Sequence, residues 1–254
     1  MSGMAGRKII VGNWKMNGLT SACSEWASSM ADKLTNYPAN AEIVVCMPVT
    51  LLREFQGSEG SPSCLGIGLG GQDCHRETSG AFTGDISAEM LRDAGCRYVI
   101  VGHSERRSAY KETDEDVRKK ADAALKAGLI PIICVGETLE QREGGRAEAE
   151  VRRQVVASVP PNGRDHKMII AYEPVWAIGS GLVPTNEEIT ETHSQIRSKL
   201  TKLLRGSCPP ILYGGSVKAD NARTILAIPG VDGALVGGAS LDPEDFWAII
   251  RSVS

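Results

Sequence analysis

The sequence predicts an α/β fold of parallel strands, either a closed (β/α)8 barrel or a large open sheet, formed as one domain over residues 1–254. Three observations lead there. Eight short runs rich in Val and Ile recur along the chain, amphipathic stretches lie between them, and no linker-like tract interrupts the alternation. Most of the runs are continuously apolar rather than alternating, as strands covered on both faces are.

The strands are expected, in order, at "KIIVGNW" (8–14), "EIVVCMP" (42–48), "LGIGLGGQ" (65–72), "RYVIVGH" (97–103), "LIPIICVG" (129–136), "MIIAYE" (168–173), "PILYGG" (210–215) and "DGALVGG" (232–238). Between the fourth and fifth, "TDEDVRKKADAALKAG" has Thr113 and Asp116 in capping-box spacing. Val117, Ala121, Ala124 and Leu125 share one face, and Gly128 stands past the end. Between the sixth and seventh, "TNEEITETHSQIRSKLTKLLRG" repeats the plan. Thr185 and Glu188 cap it, Ile189, His193, Ile196, Leu200 and Leu203 form the stripe, and Gly206 stops it, so His193 reads as a packing residue.

Composition narrows the function classes. The chain is 42% hydrophobic and 23% charged, with a net charge of −3. No basic stripe forms, since Arg118-Lys119-Lys120 belongs to a helix with an acidic first turn, and a nucleic-acid partner is not expected. No apolar run reaches the roughly 20 residues of a membrane span, and the N-terminus lacks a cleavage-type signal. Seven scattered cysteines without a C-x-x-C pair, several inside apolar runs, point to buried thiols and a reducing, cytoplasmic setting.

In either architecture chemistry belongs at the carboxyl ends of the strands, where the following loops converge. There the sequence sets Asn13 and Lys15, His103, Cys134, Glu173, Gly214-Gly215-Ser216 and Gly237-Gly238. Glu173 follows an apolar run and precedes Pro174, an acid where burial makes charge costly and the backbone behind it is stiff. The two glycine pairs let backbone N–H groups approach an anion, and helix starts expected near Ser216–Lys218 and Leu241–Glu244 would add positive dipole ends. A small phosphorylated ligand follows.

Other patterns are weaker. "GIGLGG" (66–71) lies within a strand and leads into "QDCHRE" rather than an apolar helix, so dinucleotide binding is not expected. No phosphate-loop motif occurs, and the four histidines (75, 103, 166, 193) lack metal-ligand spacing.

Five blocks, "GNWKMNG" (12–18), "VGHSERR" (101–107), "AYEPVWAIGSG" (171–181), "YGGSV" (213–217) and "LVGGASL" (235–241), resemble triosephosphate isomerase in order and spacing across essentially the whole chain. The resemblance implies the TIM barrel and interconversion of dihydroxyacetone phosphate and glyceraldehyde 3-phosphate without metal or organic cofactor. It makes Glu173 the base, His103 a neutral electrophile, Lys15 the fixed cation and Asn13 an amide on the substrate oxygen, a base–imidazole pairing for which this family is itself the worked case. It also implies phosphate binding by Gly179, Ser216, Gly237 and Gly238, a buried Glu105 that orients Lys15, a Cys134 that supports packing, and a lid at 174–181. The loop at 73–87 becomes an arm into a second copy of the chain, with Thr83 reaching the partner's site, hence a homodimer. Departures from the family pattern are "LVPT" at 182–185, where Pro184 should stiffen the lid's far stem, Asp73 in place of an amide, and "AFTGD" for "AFTGE"; none touches the proton-transfer set. Two rivals remain: a Schiff-base lyase working through Lys15, and a non-catalytic phosphate-binding barrel.

Overall fold

The computed structural model describes residues 7–37, 39–57, 66–161, 163, 167–178 and 182–253. Eight strands appear in the expected order: β1 (Lys8–Asn13), β2 (Ala41–Cys46), β3 (Gly68–Gly71), β4 (Tyr98–Val101), β5 (Ile130–Val135), β6 (Ile169–Tyr172), β7 (Ile211–Tyr213) and β8 (Gly233–Val236). Each pairs in parallel with the next, and β8 returns to β1 with Ile9 opposite Gly233 and Gly12 opposite Val236. The sheet is therefore a closed barrel, and the open-sheet alternative falls.

Closure explains the continuous apolar runs. Successive side chains of a strand point to opposite faces. Ile9 and Val11 of β1 join Val44, Cys46, Ile100, Cys134, Ala171 and Leu212 in the barrel interior. Ile10 points outward into the larger core shared with the helices, where Trp14, Trp26, Phe55 and Phe246 pack. Neither face meets water, so no polar alternation survives.

The helices are α1 (Thr20–Asn36), α2 (Leu52–Gln56), α3 (Ala88–Asp93), α4 (Ser104–Ala109), α5 (Asp114–Lys126), α6 (Leu139–Glu143), α7 (Ala147–Ser158), α8 (Asn186–Leu203), α9 (Ala222–Ala227) and α10 (Pro243–Arg251). Both expected capping boxes form, at the starts of α5 and α8, and a third closes α6 through Thr138 and Gln141. Gly128 and Gly206 take left-handed φ of 78° and 100° past α5 and α8, which a Cβ would oppose.

One expectation needs correction. No helix starts at Ser216–Lys218: α9 begins only at Ala222, so the loop after β7 carries no helix dipole toward the barrel mouth. After β8 the expected start is present: a 3-10 turn occupies Gly238–Ser240, and α10 begins at Pro243 with Asp242 as its N-cap, within the stretch Leu241–Glu244. Within Arg118-Lys119-Lys120 the helical period turns Lys120 inward, where it is buried, in keeping with the absence of a basic stripe.

The 73–87 arm has more order than its composition suggests. His75 and Ser87 form a bridge at its base, and the His75 N–H donates to the Ile86 carbonyl at 2.7 Å. The Phe82 ring lies 4.1 Å from the His75 ring, folding the tip back on the base. Gly179, His166 and Cys64 lie outside the described residues.

Candidate active site

At the carboxyl end of the barrel a cavity of about 300 Å³ is lined by Asn13, Lys15, His103, Glu173, Ser216, Gly237 and Gly238 among others. Nine of the strand-end residues singled out by sequence, Gly214 and Gly215 included, thus share one space. A larger cavity, about 780 Å³, opens at the amino ends of the strands among Arg7, Tyr98 and Lys167, and contains none of them.

Glu173 extends β6 by one residue, its N–H donating to the Val135 carbonyl at 2.8 Å. Its side chain is only 2% exposed. The carboxylate accepts from the Ser104 N–H and the Ser104 hydroxyl, both at 3.0 Å, and its Oε1 lies 3.0 Å from His103 Nε2. Tight packing fixes the backbone beneath it: a Cβ on Gly136 would sit 1.8 Å from the Glu173 carbonyl oxygen, and one on Gly214 would sit 3.0 Å from Glu173 Cγ. Gly214 is therefore a packing requirement, whereas a Cβ on Gly237 would meet only the end of the Lys15 side chain and one on Gly238 would meet open space.

His103 stands two residues past β4 and is the N-cap of α4, with its Nδ1 accepting from the Glu105 N–H at 3.3 Å. A ring nitrogen that accepts carries no proton, so this geometry assigns the neutral tautomer with its hydrogen on Nε2. That hydrogen points at Glu173.

Lys15 leaves β1 in a left-handed conformation, φ 54°, which is uncommon outside glycine and needs external support. Two groups supply it. The Lys15 N–H donates to Asn13 Oδ1 at 3.0 Å, and the Lys15 carbonyl accepts from Gln72 Nε2 at 2.9 Å. Its ammonium reaches Glu105 Oε1 at 2.5 Å, over Gly237, where a Cβ would lie 3.6 Å from Lys15 Cε. Glu105 is half exposed rather than the buried acid the resemblance implied, since its place at the open first turn of α4 leaves it at the barrel mouth, so the pair orients the ammonium more than it stabilises the fold.

Cys134 is fully buried, and burial first, then the negative Glu173 beside it, pushes its thiol well above the usual range. A thiol kept protonated is not a nucleophile. Thr83 is exposed on the arm and does not line this chain's cavity. Among the described residues no group of three or more His, Cys, Asp or Glu is arranged to hold a metal ion.

Two contributors escaped the sequence reading. Gln72, at the end of β3, also donates to the Cys46 carbonyl at 3.1 Å and so ties three strand ends together. Glu137, two residues past β5, is 1% exposed and accepts from the Trp176 indole at 2.8 Å and the Tyr172 hydroxyl at 3.1 Å. Burial pushes its carboxyl up, against these hydrogen bonds. Trp176 lies in the 3-10 turn Val175–Ala177, so Glu137 anchors the near stem of the segment after Glu173. Both residues stand at strand ends, and the rule that found Glu173 finds them when applied to all eight.

The triosephosphate isomerase family model matches residues 8–253. A triosephosphate isomerase of Xanthobacter flavus is 51% identical over 249 residues, covering 97% of this chain and 98% of the relative. One of Afipia carboxidovorans is 49% identical over 250 residues, covering 97% of each. The crystal structure of triosephosphate isomerase from Bartonella henselae superposes with a TM-score of 0.86 at 42% identity, covering 97% of this chain and 99% of that one.

Proposed function

The chain belongs to the triosephosphate isomerase family, and on that premise we propose that Glu173, His103, Lys15 and Asn13 carry its proton transfers. The reaction is the interconversion of dihydroxyacetone phosphate and D-glyceraldehyde 3-phosphate. The observation that supports these roles is the shared cavity: an acid and a neutral imidazole, 3.0 Å apart, with a lysine ammonium on the same wall.

Glu173 takes the proton from the carbon beside the carbonyl, giving an enediol or enediolate. The Ser104 N–H and hydroxyl now hold its carboxylate, so those two hydrogen bonds must be exchanged for the substrate's C–H when ligand enters. His103, with hydrogen on Nε2, polarises the carbonyl and moves protons between the two oxygens. Lys15 places a positive charge beside the developing oxyanion, and it counts for more as water leaves the cavity. Asn13 holds the oxygen from the other side, while Ser216, Gly237 and Gly238, with Gly179, receive the phosphate. The Glu137–Trp176 hydrogen bond holds the near stem of the segment after Glu173 in place.

A homodimer accompanies this reading. Met16, Val49, Phe82 and Tyr110 are exposed large apolar side chains, and they stand on the loops after β1, β2, β3 and β4, which are consecutive around the barrel. An apolar quadrant of this kind fits an isologous contact with a second copy through the 73–87 arm. The reaction's place is the cytoplasm, where the buried free thiols of Cys46, Cys96 and Cys134 stay reduced.

The test against the lyase reading is chemical. The chain is incubated with dihydroxyacetone phosphate and borohydride, then weighed by mass spectrometry. An unmodified chain is expected after borohydride, with aldehyde formed in a parallel sample that lacks it; a reduced adduct on Lys15 would overturn the isomerase mechanism.

A further inference from the structure

We propose that Asp73 is a positioning residue for Lys15, acting through Arg106 and the helix α4 that carries Glu105; this rests on the isomerase reading above. Asp73 directly follows Gln72, whose amide grips the Lys15 carbonyl. Its carboxylate accepts from Lys120 Nζ through both oxygens at 2.8 Å, and its Oδ2 lies 2.8 Å from Arg106 Nη2. Arg106 is the residue next to Glu105, the partner of the Lys15 ammonium. Two consecutive residues after β3 therefore hold both ends of the Lys15–Glu105 pair: Gln72 the backbone of the lysine, Asp73 the helix of the glutamate.

The cluster around Asp73 is closed and charge-balanced, with Asp73 and Glu112 facing Arg106 and Lys120. Glu112 Oε1 receives both the Arg106 Nε and Lys120 Nζ hydrogens at 2.6 Å, while its Oε2 is buried without a hydrogen-bond partner. Removal of the Asp73 carboxylate leaves Arg106 Nη2 without its acceptor, and the unclaimed Glu112 oxygen is the acidic group left to draw it. Arg106 then turns away from β3, and the first turn of α4 turns with it, because the Arg106 N–H is bonded to the His103 carbonyl at 2.9 Å. Glu105 moves, and the ammonium it orients loses its fixed aim. A side chain that merely stabilised the fold would change the unfolding temperature without changing how the active fraction binds substrate.

The experiment compares Asp73→Leu, Asp73→Ser and Asp73→Asn with the parent in steady-state kinetics on glyceraldehyde 3-phosphate at several enzyme concentrations, alongside thermal unfolding. KM is expected to rise about three- to tenfold in the Leu and Ser variants with a smaller change in kcat, and to stay within about twofold in Asn, whose oxygen can still accept from Lys120 and Arg106. Should Asp73→Leu fail to fold, the Ser variant carries the comparison. A lowered unfolding temperature with KM unchanged in the Ser variant would overturn the proposal, as would a KM rise that disappears at high enzyme concentration and so reports subunit dissociation. An inactive parent would sink the isomerase reading and this inference together; an active parent with unaltered variant KM would sink this inference alone.

Discussion

At Glu173 a single methylene decides the chemistry. Glu173→Asp withdraws the carboxylate from the cavity by roughly 1 Å, and a misplacement of that size costs about 10²-fold in rate. The expected steady-state result is a kcat lowered by about that factor with KM nearly unchanged. Lys15→Ala should lose both binding and rate, since its charge serves substrate and transition state alike; calorimetry with a phosphate-bearing competitive inhibitor should show the lost affinity. His193 behaves differently because burial, opposed by the Gly230 carbonyl that its Nδ1 faces at 3.1 Å, lowers its pKa to about 4. Between pH 6.5 and 4 the unfolded chain binds a proton there that the folded chain refuses. Stability is therefore full above pH 6.5 and falls as pH drops toward 4, by roughly 3 kcal/mol in all. Urea unfolding at pH 7, 5.5 and 4.5 should show that loss, and His193→Gln should remove its share. Residues of this kind were legible where chemistry and position agree: Glu173 before a proline, His103 before a helix start. Gln72 and Glu137 stand at strand ends too, but an amide or acid beside a glycine-rich turn shows what it holds only through its hydrogen bonds.

Elements set how firmly those residues are held. The β5 end passes so close to the start of the lid that Gly136 cannot carry a side chain without striking the Glu173 carbonyl. Gly136→Ala is expected to cost about 1–3 kcal/mol of stability through overpacking and to lower kcat by displacing the base. Denaturant melts and kinetics on one preparation separate the two effects, and a variant with the parent's stability and rate would show that the site is looser than the contacts imply. The helices were legible wherever a Thr with an acid three residues on opened an apolar stripe, as at Thr113 and Thr185. The loop after β7 was misread for an equally physical reason. Gly214-Gly215-Ser216 has the composition of a phosphate-binding helix start, yet the glycines answer to Glu173 Cγ and the Tyr213 hydroxyl rather than to a helix. Lys120 shows the other limit, since charge in a sequence says nothing of an inward turn that places it between Asp73 and Glu112.

Across the whole molecule, barrel closure converts eight separate strand ends into one wall. Asn13 on β1 and Glu173 after β6 are 160 residues apart in sequence and line the same cavity. The apolar quadrant on the loops after β1 to β4 predicts that the chain sediments as a dimer. Phe82→Asp, on the folded tip of the arm, should shift it toward monomer with loss of activity, checked by analytical ultracentrifugation. The all-parallel architecture was visible from apolar runs that never alternate, whereas the choice of barrel over open sheet needed either family resemblance or the β8–β1 pairing itself.

The central claim is that Glu173 removes a carbon-bound proton from triose phosphate within this cavity. Proton magnetic resonance of dihydroxyacetone phosphate incubated with the enzyme in D2O tests it most directly. Deuterium should appear on the carbon that loses its proton at a rate comparable to turnover, and Glu173→Gln should abolish its appearance. Turnover without carbon-bound deuterium, or undiminished labelling by the Gln variant, would contradict the assignment.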